Sequence, residues 1–472
     1  MVEHHSRLRC VAGTRIFEAF AGVLPVGQHP RTAASTPSQK LVTSPRAACP
    51  IQSPAPRNAW GSREGSVRGT VRGMDTLTKW MGSLGIVIGL AIGLGGCAAT
   101  MKPVAVTPAT TPHAPDGVNP FEGARLYVNP DYAKTVKGLA AAFPAQAPML
   151  EKMAAMPTAI WLSWIADTKE LPRYLDDAAA QQKAGGQPVV PVFVVYDLPN
   201  RDCNAEASAG ELPASETGEA RYQREYIDVI AAAFAAHPDQ RVAVILEPDS
   251  LANLVTNLEN PKCQAAEGIY KRGIAYAIAK LSQPNVFVYL DAAHSGWLGW
   301  PRNLAKSVLV YKEVLAMAGG ADRVRGFALN VSNYQPSKDP TNPPRDPNAA
   351  PNDELGYVAD LSKALAGAGI TGKGFVIDTG RDGKAYIKTS PANWCNIKGA
   401  GLGERPRAAP APMVDAYLYI KVPGESAGIA DPKAPRFDPN CASEDATPGA
   451  PQAGKMFDSY LIDLIKNATP PM

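Results

Sequence analysis

Short apolar segments recur along the last three quarters of the chain, and amphipathic segments separate most of them. Each apolar segment is rich in Val, Ile and Phe, is bounded by turn-forming residues and is too short for a helix, so we predict seven β-strands. Apolar residues three and four apart predict helices over Glu219–Ala236 and Glu267–Leu281. The predicted strands are Ala159–Trp164, Val189–Tyr196, Val242–Leu246, Val286–Asp291, Gly326–Val331, Gly374–Thr379 and Asp415–Ile420.

This alternation of strands and helices is typical of a parallel sheet, either barrel-like or doubly wound. We predict an α/β fold, a distorted (β/α) barrel with about seven parallel strands. In such folds ligands bind beyond the C-terminal ends of the strands, so we expect the active site at that edge. Acids and aromatic residues are concentrated after the predicted strands, as in Asp197–Glu211 and Asp291–Trp300.

The N-terminal quarter of the chain differs in composition from the rest. Residues 1–73 are rich in Pro, Ser, Arg and Ala and show no sustained periodicity, so we expect a disordered extension. It would be absent from the native product if translation starts at Met74. Residues 97–118 are rich in Pro, Thr and Ala and predict an extended tether, and residues 119–472 form the predicted catalytic domain.

Residues 74–96 resemble a signal peptide of the bacterial lipoprotein type. The uncharged run Leu84–Leu94 has the length of a signal-peptide core and is short for a membrane span. The following Gly95, Gly96 and Cys97 complete an "LGGC" sequence that resembles a lipobox, which implies lipidation of Cys97. We therefore expect secretion across the inner membrane and either a lipid anchor at the cell envelope or release outside the cell. The alternative is a buried helix, for which so many glycines are unfavourable.

Composition excludes several classes of protein. The 472 residues are 45% hydrophobic and 19% charged, which suits a globular chain with a sizeable core. The 47 Lys and Arg exceed the 44 Asp and Glu by three, without the dense basic stripe of a nucleic-acid-binding protein. Residues 1–96 contain eleven of the basic and four of the acidic residues, so residues 97–472 carry 36 basic and 40 acidic residues and a net charge of −4.

Asp202 and Asp249 follow the second and third predicted strands and are candidate catalytic carboxyl groups. Cleavage of a glycosidic bond needs one carboxyl that is protonated near pH 7 and a second that attacks or activates water. Asp249 lies just after the end of a predicted buried strand, where burial and a nearby carboxylate would raise its pKa, as an acid requires. The alternative is that Asp249 or Ser250 only caps the next helix.

Aromatic residues accompany these acids. Trp161, Tyr196, Trp297, Trp300 and Trp394 all lie at predicted strand ends or in the loops that follow them. Sugar rings present apolar C–H faces that pack on aromatic planes, so a cluster of aromatic side chains at one edge favours a saccharide site. For any single one of them, core packing is the alternative.

Five distinctive segments follow one another along the chain. They are "VYDLPNRDC" (Val195–Cys203), "ILEPDSLANLVTNL" (Ile245–Leu258), "LDAAHSGWLGWP" (Leu290–Pro301), "NWCNIKGAGLGERP" (Asn393–Pro406) and "KAPRFDPNC" (Lys433–Cys441). Together they resemble glycoside hydrolase family 6, the inverting cellulases, and five motifs in the same order are far more specific than any one of them alone. The resemblance covers nearly all of Asn119–Thr469.

The resemblance implies catalytic roles for four residues. Asp249 matches the general acid. Asp202 matches the aspartate that raises the pKa of this acid and receives, through a water chain, the proton of the attacking water. Ser208 matches the serine that holds this water, and Tyr196 matches the tyrosine beside the distorted sugar. The substrate-binding positions that it implies are Trp161, His294, Trp297, Trp300, Asn330, Trp394, Lys421 and Glu425.

From this resemblance we expect hydrolysis of β-1,4-glucosidic bonds in cellulose or cello-oligosaccharides, with inversion of the anomeric configuration. The expected partner is a β-1,4-glucan chain, with no nucleic acid, cofactor or metal, and contact with a membrane only through the lipid. We expect a monomer. The long segment Val422–Lys455 resembles tunnel-forming members and favours a cellobiohydrolase. An endoglucanase of the same family is the alternative.

One position departs from the family pattern. The family usually has Asp two residues after the glutamate of a "PGE" loop, but here Glu425 is followed by Ser426 and Ala427. That Asp has often been proposed as the catalytic base or as an electrostatic helper. Its replacement leaves either water activation through Asp202 and Ser208 or weak activity. A glucan-binding lipoprotein with little catalysis is therefore an alternative of another class.

The resemblance pairs the cysteines as Cys203–Cys263 and Cys395–Cys441. Such bonds need an oxidising compartment, as a secreted protein provides. A four-cysteine zinc site is disfavoured because no two of these cysteines have short ligand spacing. A Ser-His-Asp triad would have to use His237 or His294, the histidines of the predicted domain.

Overall fold

The computed structural model describes residues 113–341 and 343–472. The predicted extension, the signal peptide, Cys97 and nearly all of the tether lie outside the described residues, and those predictions stay predictions. In the described part, no helix is both long enough and apolar enough to cross a membrane.

A sheet of eight strands forms the centre of the fold, and a second sheet has two strands. The ten strands are β1 (Arg125–Leu126), β2 (Ile160–Leu162), β3 (Val189–Val190), β4 (Val192–Val195), β5 (Val242–Leu246), β6 (Val286–Asp291), β7 (Gly326–Leu329), β8 (Gly374–Asp378), β9 (Arg407–Ala411) and β10 (Val414–Leu418). The large sheet has the order β2-β4-β5-β6-β7-β8-β10-β9, in which β9 is antiparallel and the other pairs are parallel. The small sheet pairs β1 with β3.

Each of the seven predicted strands contributes a parallel strand to the large sheet, so the predicted α/β fold is confirmed. The sheet curls into a distorted half-barrel rather than lying flat. The curl brings its two sides together, because the N–H of Ala159, just before β2, donates to the carbonyl of Tyr419, just after β10, at 3.0 Å. The C-terminal ends of all seven parallel strands therefore surround one opening.

Two details of the sheet were not predicted. Pro191 divides the predicted strand Val189–Tyr196 because proline has no N–H to donate to a strand pair. As a result β3 pairs with β1, while β4 joins the large sheet between β2 and β5. The segment of β9, "RAAPA", has low strand propensity, and its proline is tolerated because β9 lies at the edge of the sheet.

Strand side chains are buried on both faces of the sheet, as the continuous apolar runs require. In β5 all five residues are buried. Ala243 and Ile245 belong to the cluster on one face, together with Tyr289 and other strand residues. Val244 and Leu246 belong to the cluster on the other face, where helices such as that containing Tyr270 cover the sheet.

Eleven α-helices are described, and most cover the outside of the sheet. The helical prediction for Glu219–Ala236 corresponds to α4, a π-helical turn over Tyr222–Ile227 and α5, and that for Glu267–Leu281 to most of α7. The helices are α1 (Pro130–Ala142), α2 (Ala147–Ala154), α3 (Leu171–Gly185), α4 (Glu216–Arg221), α5 (Asp228–Ala235), α6 (Ser250–Thr256), α7 (Pro261–Leu281), α8 (Ser295–Leu298), α9 (Pro301–Met317), α10 (Glu354–Gly367) and α11 (Asp458–Lys466).

Both predicted disulfide bonds are present. Cys203–Cys263 joins the loop after β4 to the first turn of α7, across 60 residues. Cys395–Cys441 joins the loop after β8 to the loop after β10, across 46 residues. Loops of this size lose enough chain entropy in the unfolded state for each bond to stabilise the fold by about 4 kcal/mol.

The closest backbone approach in the sheet predicts a stability effect. Gly326 of β7 pairs with Gly374 of β8, and a Cβ on Gly326 would lie 1.7 Å from the carbonyl oxygen of Gly374. We expect Gly326→Ala to lower the free energy of unfolding by about 3 kcal/mol, because a backbone atom cannot move aside. The matched control is Gly138→Ala in α1, whose Cβ would meet no atom within 4 Å.

The control should leave stability unchanged or raise it by up to about 1 kcal/mol, since alanine favours a helix. Urea unfolding followed by circular dichroism measures both variants. Equal stabilities for the two variants would contradict the strand pairing described here.

Candidate functional site

A cleft of about 1120 Å³ opens at the C-terminal ends of the parallel strands. It lies where the strand order and the fold class predict a ligand site. Each parallel strand is followed by at least one residue that lines the cleft: Trp164 after β2, Tyr196 after β4, Asp249 after β5, His294 after β6, Ser332 after β7, Arg381 after β8 and Lys421 after β10. Seven separate loops therefore converge on one space.

Ten of the twelve residues predicted for catalysis or substrate binding line this cleft. Trp161 lies in β2, and the other nine come from five regions that follow different parallel strands, so the chain fold and not sequence proximity brings them together. They are Trp161, Tyr196, Asp202, Ser208, Asp249, His294, Trp297, Trp394, Lys421 and Glu425.

The structure does not bring Trp300 or Asn330 to the lining of the cleft. Asn330 is fully buried, and its amide is already occupied: Nδ2 donates to the carbonyls of Gln335 and Asp378, and Oδ1 accepts the N–H of Gln335. Its φ of +61° turns the chain after β7, so the residues that follow it face the cleft instead. Trp300 is 47% exposed at the start of α9 and donates its indole N–H to the carbonyl of Gly296.

Asp202 lies in the loop after β4, in a left-handed backbone conformation with φ of +52°. The hydroxyl of Ser208 donates to its Oδ2 at 2.7 Å. Burial raises the pKa of Asp202 to about 6, while the Ser208 hydroxyl and the charge of Arg201 act in the opposite direction. A carboxyl with this pKa is largely ionised at neutral pH.

The buried guanidinium of Arg201 fixes this loop against the sheet. Its Nε donates to the carbonyl of Ser208 at 2.8 Å and its Nη2 to the carbonyl of Ala209 at 3.2 Å. Its Nη1 donates to the carbonyls of Ser163 and Tyr196, at the ends of β2 and β4. One planar cation thus joins two strand ends to both sides of the Asp202 loop.

Asp249 has a φ of +65° immediately before α6. Its side chain makes no capping hydrogen bond with this helix, and the hydroxyl of Ser250 donates instead to the carbonyl of Glu247 at 2.6 Å. The capping alternative therefore does not account for Asp249. Burial raises the pKa of the Asp249 carboxyl well above its ordinary value, and the negative charges of Asp202 and Asp291 raise it further.

Asp291, the last residue of β6, supports Asp249 from the protein interior. Its Oδ2 accepts the N–H of Asp249 at 3.0 Å and the N–H of Ala293 at 3.1 Å. Burial raises the pKa of Asp291 to about 7, against the effect of these two hydrogen bonds. Asp291 was not among the predicted site residues, although its position at a strand end was a usable signal.

Aromatic side chains form much of the remaining wall and are held in place by hydrogen bonds. The indole N–H of Trp161 donates to the carbonyl of Ile420 at 2.8 Å, and its ring meets Tyr196 edge to face at 5.4 Å. The indole N–H of Trp297 donates to the hydroxyl of Thr256 at 2.9 Å. Fixed aromatic planes of this kind suit the apolar faces of sugar rings.

Several basic residues in the cleft were missed by the sequence analysis. Arg381 and Lys388 both line it, and burial lowers the pKa of Lys388 to about 8. The ring of Trp164 lies near two guanidinium groups, 5.1 Å from Arg201 and 5.5 Å from Arg436. Their positions after strands or beside motif residues were the available signal, but the burial of a basic side chain cannot be read from its neighbours in sequence.

Within residues 113–341 and 343–472, no group of three or more His, Cys, Asp or Glu side chains is arranged to hold a metal ion. His237, one of the two histidines considered for a triad, bonds to Asp176 and to the carbonyl of Ala233 on α5 and does not line the cleft. The other, His294, lines the cleft.

Residues 121–468 match the model of glycosyl hydrolases family 6. The chain is 41% identical over 360 residues to the probable 1,4-beta-D-glucan cellobiohydrolase C of Aspergillus fumigatus, covering 75% of this chain and 78% of that protein. It is 38% identical over 355 residues to exoglucanase 3 of Agaricus bisporus, covering 75% and 79%. The crystal structure of CcCel6C, a glycoside hydrolase family 6 enzyme from Coprinopsis cinerea, matches with a TM-score of 0.71 at 39% identity, covering 75% of this chain and 99% of that one. The chain therefore belongs to glycosyl hydrolases family 6 and is a glycoside hydrolase.

Proposed function

We propose that this protein hydrolyses β-1,4-glucosidic bonds in cellulose or cello-oligosaccharides with inversion of the anomeric configuration. The observation that carries this proposal is that Asp202 and Asp249 line one cleft while burial and charge raise their pKa values to different extents. A pair in which one carboxyl is protonated and the other ionised near pH 7 suits acid and base roles. The similarity to a probable 1,4-beta-D-glucan cellobiohydrolase and to an exoglucanase supports β-1,4-glucan as the substrate.

Asp249 is the proposed general acid. It gives its proton to the glycosidic oxygen while the bond from that oxygen to the anomeric carbon breaks, so the leaving sugar departs as an alcohol. The environment of Asp249 favours the protonated form before this step, because burial and the charges of Asp202 and Asp291 all oppose ionisation.

Asp202 is the proposed acceptor of the proton from the attacking water. The water oxygen bonds to the anomeric carbon from the face opposite the leaving group, and its proton passes through a water chain to the Asp202 carboxylate. Ser208, which donates to Asp202 at 2.7 Å, orients this water. Tyr196, which packs against Arg201 and Trp161, is proposed to lie beside the distorted sugar.

The substrate is proposed to pass along the aromatic wall of the cleft. Trp161, Trp297 and Trp394 supply the planes on which sugar rings pack, and Lys421 and Glu425 supply polar contacts. His294 also faces this path. Trp300 and Asn330 are proposed to act outside the cleft lining. The exposed Trp300 ring can contact only a glucan chain that extends beyond the cleft, and Asn330 shapes the loop after β7.

The loop Val422–Lys455 supports a cellobiohydrolase mode of action. Asn440 and the segment 452–455 of this loop line the cleft, and the disulfide bond from Cys441 to Cys395 anchors the loop. A long, anchored loop beside a cleft favours enclosure of a chain end over attack in the middle of a chain. An endoglucanase of the same family remains the alternative within this function.

A specific observation also favours a second function, a glucan-binding protein with little catalysis. Ala427 lines the cleft at the position where the family usually has Asp, so the carboxylate that has often been proposed as base or electrostatic helper near the reacting carbon is missing. In that case the aromatic wall would bind glucan while hydrolysis stayed slow. Secretion, a lipid anchor at Cys97 and a monomeric state are proposed as in the sequence analysis.

Replacement of the proposed acid tests catalysis directly. We expect Asp249→Asn to lower kcat on phosphoric-acid-swollen cellulose by at least about 100-fold, because the leaving oxygen then has no proton donor. Asp346→Asn, at an exposed loop position, is the control and should retain the wild-type rate. Reducing-sugar release measures both variants.

The loss for Asp249→Asn should be much smaller on a dinitrophenyl cellobioside, whose leaving group needs little protonation. Wild-type rates for Asp249→Asn on cellulose would contradict the acid role. A wild-type protein that binds swollen cellulose without releasing sugar would support the glucan-binding alternative.

Inversion predicts the configuration of the first product. Water that attacks opposite the leaving group converts a β-linkage into an α-anomer. Proton NMR of cellohexaose hydrolysis, recorded before mutarotation equilibrates the anomers, should therefore show an excess of α-product. An initial excess of the β-anomer would rule out the inverting mechanism.

A further inference from the structure

Arg381 lies in the wall of the cleft with part of its guanidinium unsatisfied. The side chain is 2% exposed, and its Nη2 donates to the carbonyl of Ser332. Its ring contact with Tyr334, at 4.4 Å, holds the guanidinium plane in place. Its Nε and Nη1 make no close hydrogen bond within the described residues, although the hydroxyl of Tyr460 lies near the guanidinium. Buried charged donors of this kind are costly unless an acceptor, best an anion, completes them.

Lys421 is a second buried cation in the same wall. Its Nζ is 3.3 Å from the carbonyl oxygen of Ser426 and 3.9 Å from Oε2 of Glu425, which is beyond hydrogen-bond distance. Burial and the positive charge of Arg381 lower the pKa of Lys421 to about 8. The two cations are thus close enough to repel each other, and the ammonium group of Lys421 makes no close ion pair with Glu425.

Ala427 lines the same cleft and follows directly on a contact of Lys421. The Ser426 carbonyl that Lys421 contacts is joined by the peptide bond to Ala427. The N–H of Ala427 donates to Oδ1 of Asn396 at 2.8 Å, which fixes the backbone, and its methyl packs against the cluster that contains Cys395 and Cys441. The space in front of this methyl, termed here the Ala427 gap, is where an aspartate side chain would place its carboxylate.

The other carboxyl groups near the cations accept hydrogen bonds from the loops around them. Asp378 accepts backbone N–H groups on both oxygens, among them those of Lys421 and Gly380. Oδ2 of Asp382 accepts both the N–H and the hydroxyl of Ser337, and its Oδ1 makes no hydrogen bond within the described residues. Lys388, in the same cleft, adds a further positive charge. This wall thus holds three basic side chains, and two donors of Arg381 are left open to a further acceptor.

We propose that Arg381, Lys421 and the Ala427 gap form a binding site for one carboxylate group. The carboxylate belongs either to a short free acid such as formate or to a C6-oxidised glucose unit of a glucan chain. A carboxylate in the gap would complete the donors of Arg381 and pair with Lys421 in a wall of low polarity, where such contacts are strong. The free-acid form of the site does not depend on glucan hydrolysis, whereas the glucan form rests on the proposed function.

Thermal unfolding of the wild-type protein tests the site without any activity. Sodium formate at about 100 mM should raise the melting temperature by about 2 °C or more relative to sodium chloride of the same ionic strength. Formamide, a neutral molecule of nearly the same shape, should give no shift. Equal melting temperatures in formate and chloride, together with no preference for an oxidised glucan, would overturn the proposal.

Two substitutions of Ala427 distinguish the effect of a negative charge in the gap from the effect of filling the gap. Ala427→Asp fills the gap with a carboxylate, so it should raise the melting temperature in chloride and abolish the response to formate. Ala427→Asn fills the same space without charge, so it should abolish the response to formate without raising the melting temperature. A formate response retained in both variants would place the anion elsewhere and overturn the proposal.

Calorimetric titration distinguishes the two sources of the carboxylate. An oxidised glucan source predicts that cellotetraose with one C6 carboxyl binds at least about tenfold more tightly than neutral cellotetraose, and that Ala427→Asp removes this preference. A free-acid source predicts equal affinity for the two oligosaccharides together with the formate shift. Hydrolysis of neutral cellotetraose, measured in parallel, reports on the proposed function separately, because either binding result can occur with or without turnover.

Discussion

The site depends on the burial of three carboxyl groups at the C-terminal ends of the strands in the curled sheet. Asp202, Asp249 and Asp291 come from three loops or strand ends, and burial is the largest influence that raises the pKa of each. The contacts that favour the ionised form differ between these carboxyl groups. Asp202 receives the Ser208 hydroxyl and lies near Arg201, whereas Asp249 receives no compensating contact and has negative neighbours. Because these contacts differ, Asp202 and Asp249 have different pKa values and can hold different protonation states near pH 7.

The geometry behind this difference rests on a few buried polar contacts. Arg201 ties the ends of β2 and β4 to the Asp202 loop, and Asp291 holds the backbone of Asp249 and Ala293. Arg381 and Lys421 are also buried in the wall of the cleft, and Nε and Nη1 of Arg381 make no close hydrogen bond within the described residues. The donors of Arg201 are thus paired with backbone carbonyls, whereas those of Arg381 are paired only in part.

The sequence predicted the seven parallel strands because each is a continuous apolar run bounded by turn residues, a local pattern that burial on both faces requires. It did not predict β9, whose short Ala and Pro segment is a strand only because β10 offers it an edge. Ten of the twelve proposed site residues line the cleft because the C-terminal ends of parallel strands meet at one edge of the sheet. Asn330 fails because a left-handed φ turns the chain away, and the burial of Arg201 and Arg381 depends on packing that no local pattern contains.

The protonation state of Asp249 is the most direct test of this account. Carbon-13 NMR of the aspartate side-chain carboxyls, assigned with Asp249→Asn, can follow both groups from about pH 4 to about pH 9. We expect Asp202 to titrate near pH 6 while Asp249 keeps its proton at pH 7. An Asp249 carboxyl that ionises near its ordinary value, about pH 4, would contradict it.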